Sequence, residues 1–254
     1  MTDQEILARV DHTLLRADAS WEEIRKVCEE ALRYGTASVC IPTAFVRRAR
    51  EAFPVLRICT VVGFPLGNSS KAAKVWETTE AVADGADEID MVMAVWALKG
   101  GEDDIVTDEI RAVKKACRNH ILKVIVETCL LTEEEKVRSC RCAALGGADY
   151  IKTSTGFGSA GAVLDDVRLF RTVLGDTCKI KAAGGIHTRE EMEAFLETGA
   201  DRIGASGAVK VLCGKEIRKQ SGRALCPSDQ TGQPVQIDRK RGILWTNSSD
   251  RPTR

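Results

Sequence analysis

The chain has 254 residues, 44% hydrophobic and 29% charged, and its 37 Lys and Arg balance 37 Asp and Glu. That composition fits a folded globular protein and excludes collagen-like, disordered and mini-protein classes. Apolar runs such as residues 121–126 fall far short of the roughly 20 residues of a membrane span, and the opening Met1-Thr2-Asp3-Gln4-Glu5 is acidic, unlike a signal peptide, so a cytoplasmic protein is expected.

In chain order, short β-branched runs predict strands at 11–15, 37–41, 58–63, 88–93, 121–127, 149–153, 179–182 and 202–204. Between them, residues 21–34, 69–84, 103–118, 132–145, 162–174 and 188–197 carry apolar side chains at helical spacing, several opened by Ser, Thr or Asp. A further helix is expected before the first strand. Several helices close alike, at Tyr34-Gly35, Asp84-Gly85-Ala86-Asp87, Gly146-Gly147-Ala148-Asp149 and Thr198-Gly199-Ala200-Asp201. There a glycine can take the left-handed cap before the chain enters the next strand.

Continuous apolar runs alternating with helices imply parallel strands covered on both faces. Eight such units predict an α/β fold of the (β/α)8 TIM-barrel type with an extra N-terminal helix. A doubly wound open sheet is the competitor, which periodicity alone does not exclude. Residues 1–213 hold 28 basic and 33 acidic side chains, whereas residues 214–254 hold 9 basic, 4 acidic and three of the six prolines. This predicts a barrel domain over 1–213 and a basic, irregular, poorly ordered tail over 214–254. With one aromatic, Trp245, and no recognised basic motif, the tail gives little support to nucleic-acid binding.

Ten cysteines are scattered without C-x-x-C pairing and read as reduced, mostly buried thiols; the nearest pair, Cys140 and Cys142, falls in a predicted helix, where residues two apart point in different directions. His12, His120 and His187 are widely spaced and match no zinc motif.

In a barrel, polar residues at the C-terminal ends of strands come first. Lys152, in Tyr150-Ile151-Lys152-Thr153-Ser154-Thr155-Gly156, and Lys181, in Lys179-Ile180-Lys181-Ala182-Ala183-Gly184-Gly185, occupy neighbouring predicted strands. One strand-end lysine is usually structural. A second cation within about 4–6 Å penalises the charged form of the first, and an amine freed in this way can attack a carbonyl. Asp90 stands in the otherwise apolar Ile89-Asp90-Met91-Val92 and needs a buried cationic partner. Neutralising Lys181 or Lys123 and moving protons are equal readings of it. Gly156, Gly184-Gly185 and Gly204-Ala205-Ser206-Gly207 follow the sixth, seventh and eighth strands, where barrels commonly bind phosphate through backbone N–H groups. Gly156-Phe157-Gly158-Ser159-Ala160-Gly161 also satisfies the dinucleotide fingerprint G-x-G-x-x-G, but it follows the sixth strand instead of opening the first unit, which argues against NAD.

The stretches Asp11-His12-Thr13-Leu14-Leu15, Ser38-Val39-Cys40-Ile41, Gly63-Phe64-Pro65-Leu66-Gly67, Glu88-Ile89-Asp90-Met91-Val92, Lys123-Val124-Ile125-Val126-Glu127-Thr128, Tyr150-Ile151-Lys152-Thr153-Ser154-Thr155-Gly156 and Lys181-Ala182-Ala183-Gly184-Gly185 resemble, in order, the deoxyribose-phosphate aldolases. The resemblance implies a class I (Schiff-base) aldolase of deoxyribonucleotide catabolism, needing no metal or organic cofactor, that reversibly cleaves 2-deoxyribose 5-phosphate to glyceraldehyde 3-phosphate and acetaldehyde. It makes Lys152 the imine-forming residue, Lys181 the group that lowers its pKa and relays protons, and Asp90 the proton donor and acceptor. It assigns the 5-phosphate to Gly156, Gly184, Gly185, Gly204 and Ser206, and the pocket lining to Asp11 and Cys40. The implied partners are a small phosphosugar and further copies of the chain, as homodimer or homotetramer, with neither nucleic acid nor membrane.

This chain departs from many relatives in three places. Ala94-Val95-Trp96 lacks an Asn near the fourth strand, Ile41-Pro42-Thr43-Ala44 lacks one after the second, and the two tyrosines, Tyr34 and Tyr150, leave none for the C-terminal position that some members use in proton transfer. The contrasting reading is a phosphosugar-binding or regulatory homologue without turnover; a barrel lyase acting on another phosphorylated sugar is a third.

Overall fold

Eight parallel strands pair in chain order and the last closes onto the first, so the sheet of this computed structural model is a barrel. The structure describes residues 1–221, 236–238 and 243–245, with side chains through residue 214. The strands are β1 (Val10–Thr13), β2 (Ser38–Ile41), β3 (Ile58–Val62), β4 (Glu88–Val92), β5 (Ile121–Ile125), β6 (Tyr150–Lys152), β7 (Lys179–Ala183) and β8 (Arg202–Ala205). Closure rejects the open doubly wound sheet.

The predicted N-terminal helix is α1 (Asp3–Leu7), and α2 (Trp21–Tyr34) has its expected bounds. In α2 the Ser20 hydroxyl accepts from Glu23 N–H while the Glu23 carboxylate accepts from Ser20 N–H. Such a box satisfies two of the N–H groups that a helix start leaves without partners. Ile24, Cys28 and Ala31, at 0–2% exposure, form the face laid on the barrel. Gly35, at φ 64°, ends the helix in the left-handed cap expected of it.

Two short helices were not legible: α3 (Val46–Ala52), which buries only Val46 and Ala49, and the five-residue α5 (Val95–Lys99). Neither is long enough to establish a 3.6-residue period. The other inter-strand helices are α4 (Lys71–Ala83), α6 (Asp103–Cys117), α7 (Glu133–Leu145), α8 (Leu164–Leu174) and α9 (Arg189–Thr198), all within a few residues of expectation. The helix α10 (Ala208–Ser221) follows β8.

Residues Met1–Leu212 and Cys213–Arg254 form two compact units. In the second, β9 (Gln236–Asp238) pairs antiparallel with β10 (Ile243–Trp245). The expected poorly ordered tail over 214–254 lies largely outside the described residues. The nine cysteines described are free thiols, and both Cys140 and Cys142 are buried.

The end of the barrel opposite the strand C-termini is tied by a repeated device. In the last turns of α3, α6 and α8 respectively, Arg50, Lys114 and Arg171 pair with Asp87, Asp149 and Asp201. Each Asp also accepts the N–H of a residue on the preceding strand, Ile58, Leu122 or Ile180. The carboxylate of each Gly-Ala-Asp turn thus joins a helix end to the strand beside it.

Candidate active site

Charged residues lie inside the barrel where apolar ones would otherwise fill it. Asp90, at 0% exposure, is their hub. Its Oδ2 accepts from Lys152 Nζ at 2.9 Å and Lys181 Nζ at 2.7 Å, and its Oδ1 accepts from Lys123 Nζ at 2.8 Å and the Cys59 thiol at 3.2 Å. Lys181 also lies 2.5 Å from Asp11 Oδ2, and Lys123 lies 2.6 Å from Glu88 Oε2. Arg202 donates to Asp11 Oδ1 at 2.5 Å and stands 3.4 Å from Glu88. Sheet register explains the hub: Lys152 pairs with Lys181 across β6–β7, and Asp90 with Lys123 across β4–β5. Lys123 is level with Tyr150, so Lys152, two residues further along β6, stands one layer nearer the mouth.

Ions are tolerated at this depth only when paired and hydrogen-bonded. Burial favours neutral Asp11 and Asp90, yet it is outweighed: Lys181, Lys123 and Arg202 hold Asp11 below the usual carboxylate range, and the three lysines hold Asp90 well below it. Burial likewise opposes charge on Lys181 and Lys123, but Asp11 and Asp90 raise Lys181, while Asp90, Asp11 and Glu88 raise Lys123. Burial pushes the Cys59 thiol well up, so it stands as a neutral donor. Two groups of potential metal ligands converge here, Cys40–Cys59–Asp90 and Asp11–Cys59–Glu88. Their carboxylates are already engaged by Lys123, Lys181 and Arg202, whose charge would repel a metal cation.

Above this layer opens a cavity of about 520 Å³. Lys152 forms part of its floor; Gly156, Gly184, Gly185, Gly204 and Ser206 are on its walls, with Thr155 and Phe157 beside them. Glycine is needed at 204, where a Cβ would sit 2.8 Å from Ala183 Cβ and 3.2 Å from Lys181 Cε. The G-x-G-x-x-G segment belongs to this wall: a Cβ on Gly161 would lie 2.1 Å from the Gly184 carbonyl oxygen. A second, apolar cluster consists of Cys40, Cys59 and Val61, with Leu15 and Phe64 packed on it. The Phe64 ring meets Phe157 edge-on at 5.2 Å.

Residues 5–219 match the family described as DeoC/LacD family aldolase. The chain belongs to this aldolase family. The deoxyribose-phosphate aldolase of Clostridium botulinum is 52% identical over 219 residues, 86% of this chain and 99% of that protein. Its counterpart in Streptococcus agalactiae is 48% identical over 220 residues, 86% and 99% of the two chains. Among solved structures, a putative deoxyribose-phosphate aldolase from Coccidioides immitis superposes with a TM-score of 0.82 at 38% identity, covering 85% of this chain and 87% of that one. The tetrameric deoxyribose phosphate aldolase of Aeropyrum pernix gives 0.76 at 27% identity, covering 85% and 92%.

Within this aldolase barrel, Lys152 on β6, Lys181 on β7 and Asp90 on β4 meet through Asp90 Oδ2, and Gly156, Gly184, Gly185, Gly204 and Ser206 line one cavity. Asp11 and Cys40 are both at 0% exposure: Asp11 faces the ion layer and Cys40 the apolar cluster, neither being among the lining residues described. Sequence reasoning missed Glu88 and Arg202 and treated Lys123 only as a counter-ion. The available signal was a charge at alternate, inward positions of apolar strands, as in Glu88-Ile89-Asp90.

Proposed function

We propose that this aldolase cleaves 2-deoxyribose 5-phosphate reversibly to glyceraldehyde 3-phosphate and acetaldehyde through a Schiff base on Lys152. The observation that carries the reading is the single oxygen, Asp90 Oδ2, that joins Lys152 and Lys181 beneath a cavity walled by glycine loops. The cluster holds four cations, Lys123, Lys152, Lys181 and Arg202, against three carboxylates, Asp11, Glu88 and Asp90. Removing one proton balances it. Lys152 has one carboxylate contact among the described residues, against two for Lys181 and three for Lys123, and it alone of the three lysines lines the cavity. A neutral amine at Lys152 therefore sacrifices the least pairing and faces the incoming aldehyde.

The Lys152 amine adds to C1, and loss of water gives a protonated imine. Asp90, through water, takes the proton of the C3 hydroxyl; the C2–C3 electron pair moves into the imine as glyceraldehyde 3-phosphate leaves. Protonation of the enamine at C2 and hydrolysis release acetaldehyde and restore the amine. Lys181 stays cationic throughout, orients Asp90 and opposes a second positive charge beside it. Gly156, Gly184, Gly185, Gly204 and Ser206 receive the phosphate.

A coupled assay of glyceraldehyde 3-phosphate release tests the reading. Wild type should turn over and Lys152→Met should lose at least about a thousandfold of that rate, the scale expected when a covalent nucleophile is removed. Phosphosugar binding by calorimetry without cleavage would favour the non-catalytic alternative. We also propose a cytoplasmic site of action, and a homodimer or homotetramer in solution, in keeping with the tetramer described for the Aeropyrum pernix relative. Light scattering at micromolar concentration should give a mass of two or four chains; a monomer contradicts it.

A further inference from the structure

Glu127 lies two residues beyond β5, is 5% exposed and takes φ 56°, ψ 67°. Side chains other than glycine's rarely occupy that left-handed region. On either side the chain stays bonded to β6 and its loop: Val126 N–H donates to the Lys152 carbonyl and Thr128 N–H to the Thr153 carbonyl, both at 3.0 Å. Between these two bonds the carboxylate of Glu127 reaches past β6. Both its oxygens accept from Thr155 N–H at 3.3 Å, and Oε2 also accepts from the Thr155 hydroxyl. That hydroxyl oxygen in turn accepts from Phe157 N–H at 3.0 Å.

The loop is seated on the same group from behind. A Cβ on Gly158 would lie 3.2 Å from Glu127 Oε1 and 2.9 Å from Cys129 Sγ, so the glycine lets the backbone close over the carboxylate. On the far side the loop meets the next anion strand end, where a Cβ on Gly184 would lie 3.3 Å from Gly156 Cα. Thr155, Gly156, Phe157 and Gly184 all line the cavity, whereas Glu127 is not among its described lining residues. A buried carboxylate on a strained backbone persists only where its surroundings hold it, and such strain concentrates at functional sites. Here the carboxylate's partners are the Thr155 N–H and hydroxyl, with the Cys129 thiol at 3.9 Å, and through that hydroxyl it reaches the Phe157 N–H of the first anion loop after Lys152.

We propose that Glu127 is a positioning residue for phosphate recognition: it fixes residues 155–157 against Gly184 and thereby sets the preference for a phosphorylated over an unphosphorylated sugar. The proposal rests on the phosphosugar reading above and adds to it the residue that determines this selectivity from outside the cavity. Because the loop acts on the distal end of the substrate, its loss should fall on binding of the phosphate and much less on the carbon–carbon chemistry at Lys152.

The test is steady-state cleavage of 2-deoxyribose 5-phosphate and of 2-deoxyribose by wild type, Glu127→Ala, Glu127→Gln and Thr155→Val. Glu127→Ala should lower kcat/KM for the phosphorylated sugar by about ten- to a hundredfold, mainly through KM, the scale of a misplaced binding group. The loss on 2-deoxyribose should be several-fold smaller, so the ratio of the two constants collapses. Glu127→Gln keeps an oxygen for Thr155 and should restore most of the ratio; Thr155→Val, which keeps the side-chain shape but breaks the hydroxyl bridge, should reduce it even if Glu127→Ala fails to fold. Equal losses on the two sugars, or an unchanged ratio in both Glu127→Ala and Thr155→Val, would overturn the proposal. A wild-type protein without any preference for the phosphorylated sugar would instead refute the phosphosugar reading itself.

Discussion

Replacing Asp90 by Asn would leave Lys123, Lys152 and Lys181 facing one another with one carboxylate fewer. Breaking a buried pair from one side costs on the order of 3–5 kcal/mol, and Asp90→Asn should lose both that stability and its turnover. The pH dependence follows from the direction of the shifts. Asp90 is held below its unfolded value, so its contribution is present above about pH 4 and is lost as pH falls through the depressed value. The lysines Lys123 and Lys181 are raised, so theirs is complete below about pH 10 and is lost only as pH rises through the raised values. Denaturant titrations should therefore find the stability gap between wild type and Asp90→Asn narrowing as pH falls below about 4. A gap unchanged in strong acid contradicts the pairing. Lys181→Leu should lower kcat/KM near neutrality by about a hundredfold and move the acid limb of its pH profile upward; an unmoved limb removes Lys181 from this role. Asp90, Lys152 and Lys181 were legible singly, because a charge within an apolar strand is conspicuous, whereas Glu88 and Arg202 were passed over. The pairings were less legible: Asp11 and Arg202 are 191 positions apart, and only closure of the barrel makes them neighbours.

At the scale of elements, the Gly-Ala-Asp turns join legible sequence to measurable stability. Asp201 accepts from Ile180 N–H at 2.8 Å and pairs with Arg171 at 2.7 Å while remaining partly exposed. Asp201→Ala should cost about 1–3 kcal/mol, most of it from the N–H left without its acceptor, as a lower denaturation midpoint with an unchanged m-value. No change in midpoint would mean that the turn holds without its carboxylate. The eight strands were recognisable from their apolar runs and the helices from apolar residues at helical spacing, with the opening Thr132 and Thr188 seen in the structure as the caps of α7 and α9. Five strands, β1, β3, β4, β5 and β6, end one or two residues before the expected position. The β5 strand stops at Ile125 because Glu127 turns left-handed to meet Thr155, a contact to a residue 28 positions away that local pattern does not encode. The β6 strand stops at Lys152, where Thr153 begins the loop that enters the anion wall.

Across the molecule, the ion layer and cavity use residues between Asp11 and Ser206, within the unit Met1–Leu212. The C-terminal 41 residues, from Gly214, contain no tyrosine and so bring none to the proton-transfer position used by some family members. Removing residues 222–254 should leave the cleavage rate within about twofold of the full chain, because all described residues of the ion layer and cavity precede that segment; a large loss would place a needed group in it. The alternation of strands and helices made the barrel legible, but whether the sheet closed depended on the contact of β1 with β8, between the two ends of the domain sequence. The central claim concerns one amine. Borohydride reduction in the presence of acetaldehyde, followed by peptide mass mapping, should place a stable ethyl adduct on Lys152 and abolish activity in step with labelling. An adduct on Lys181 or Lys123 with Lys152 unmodified, or no adduct under conditions of turnover, would contradict it.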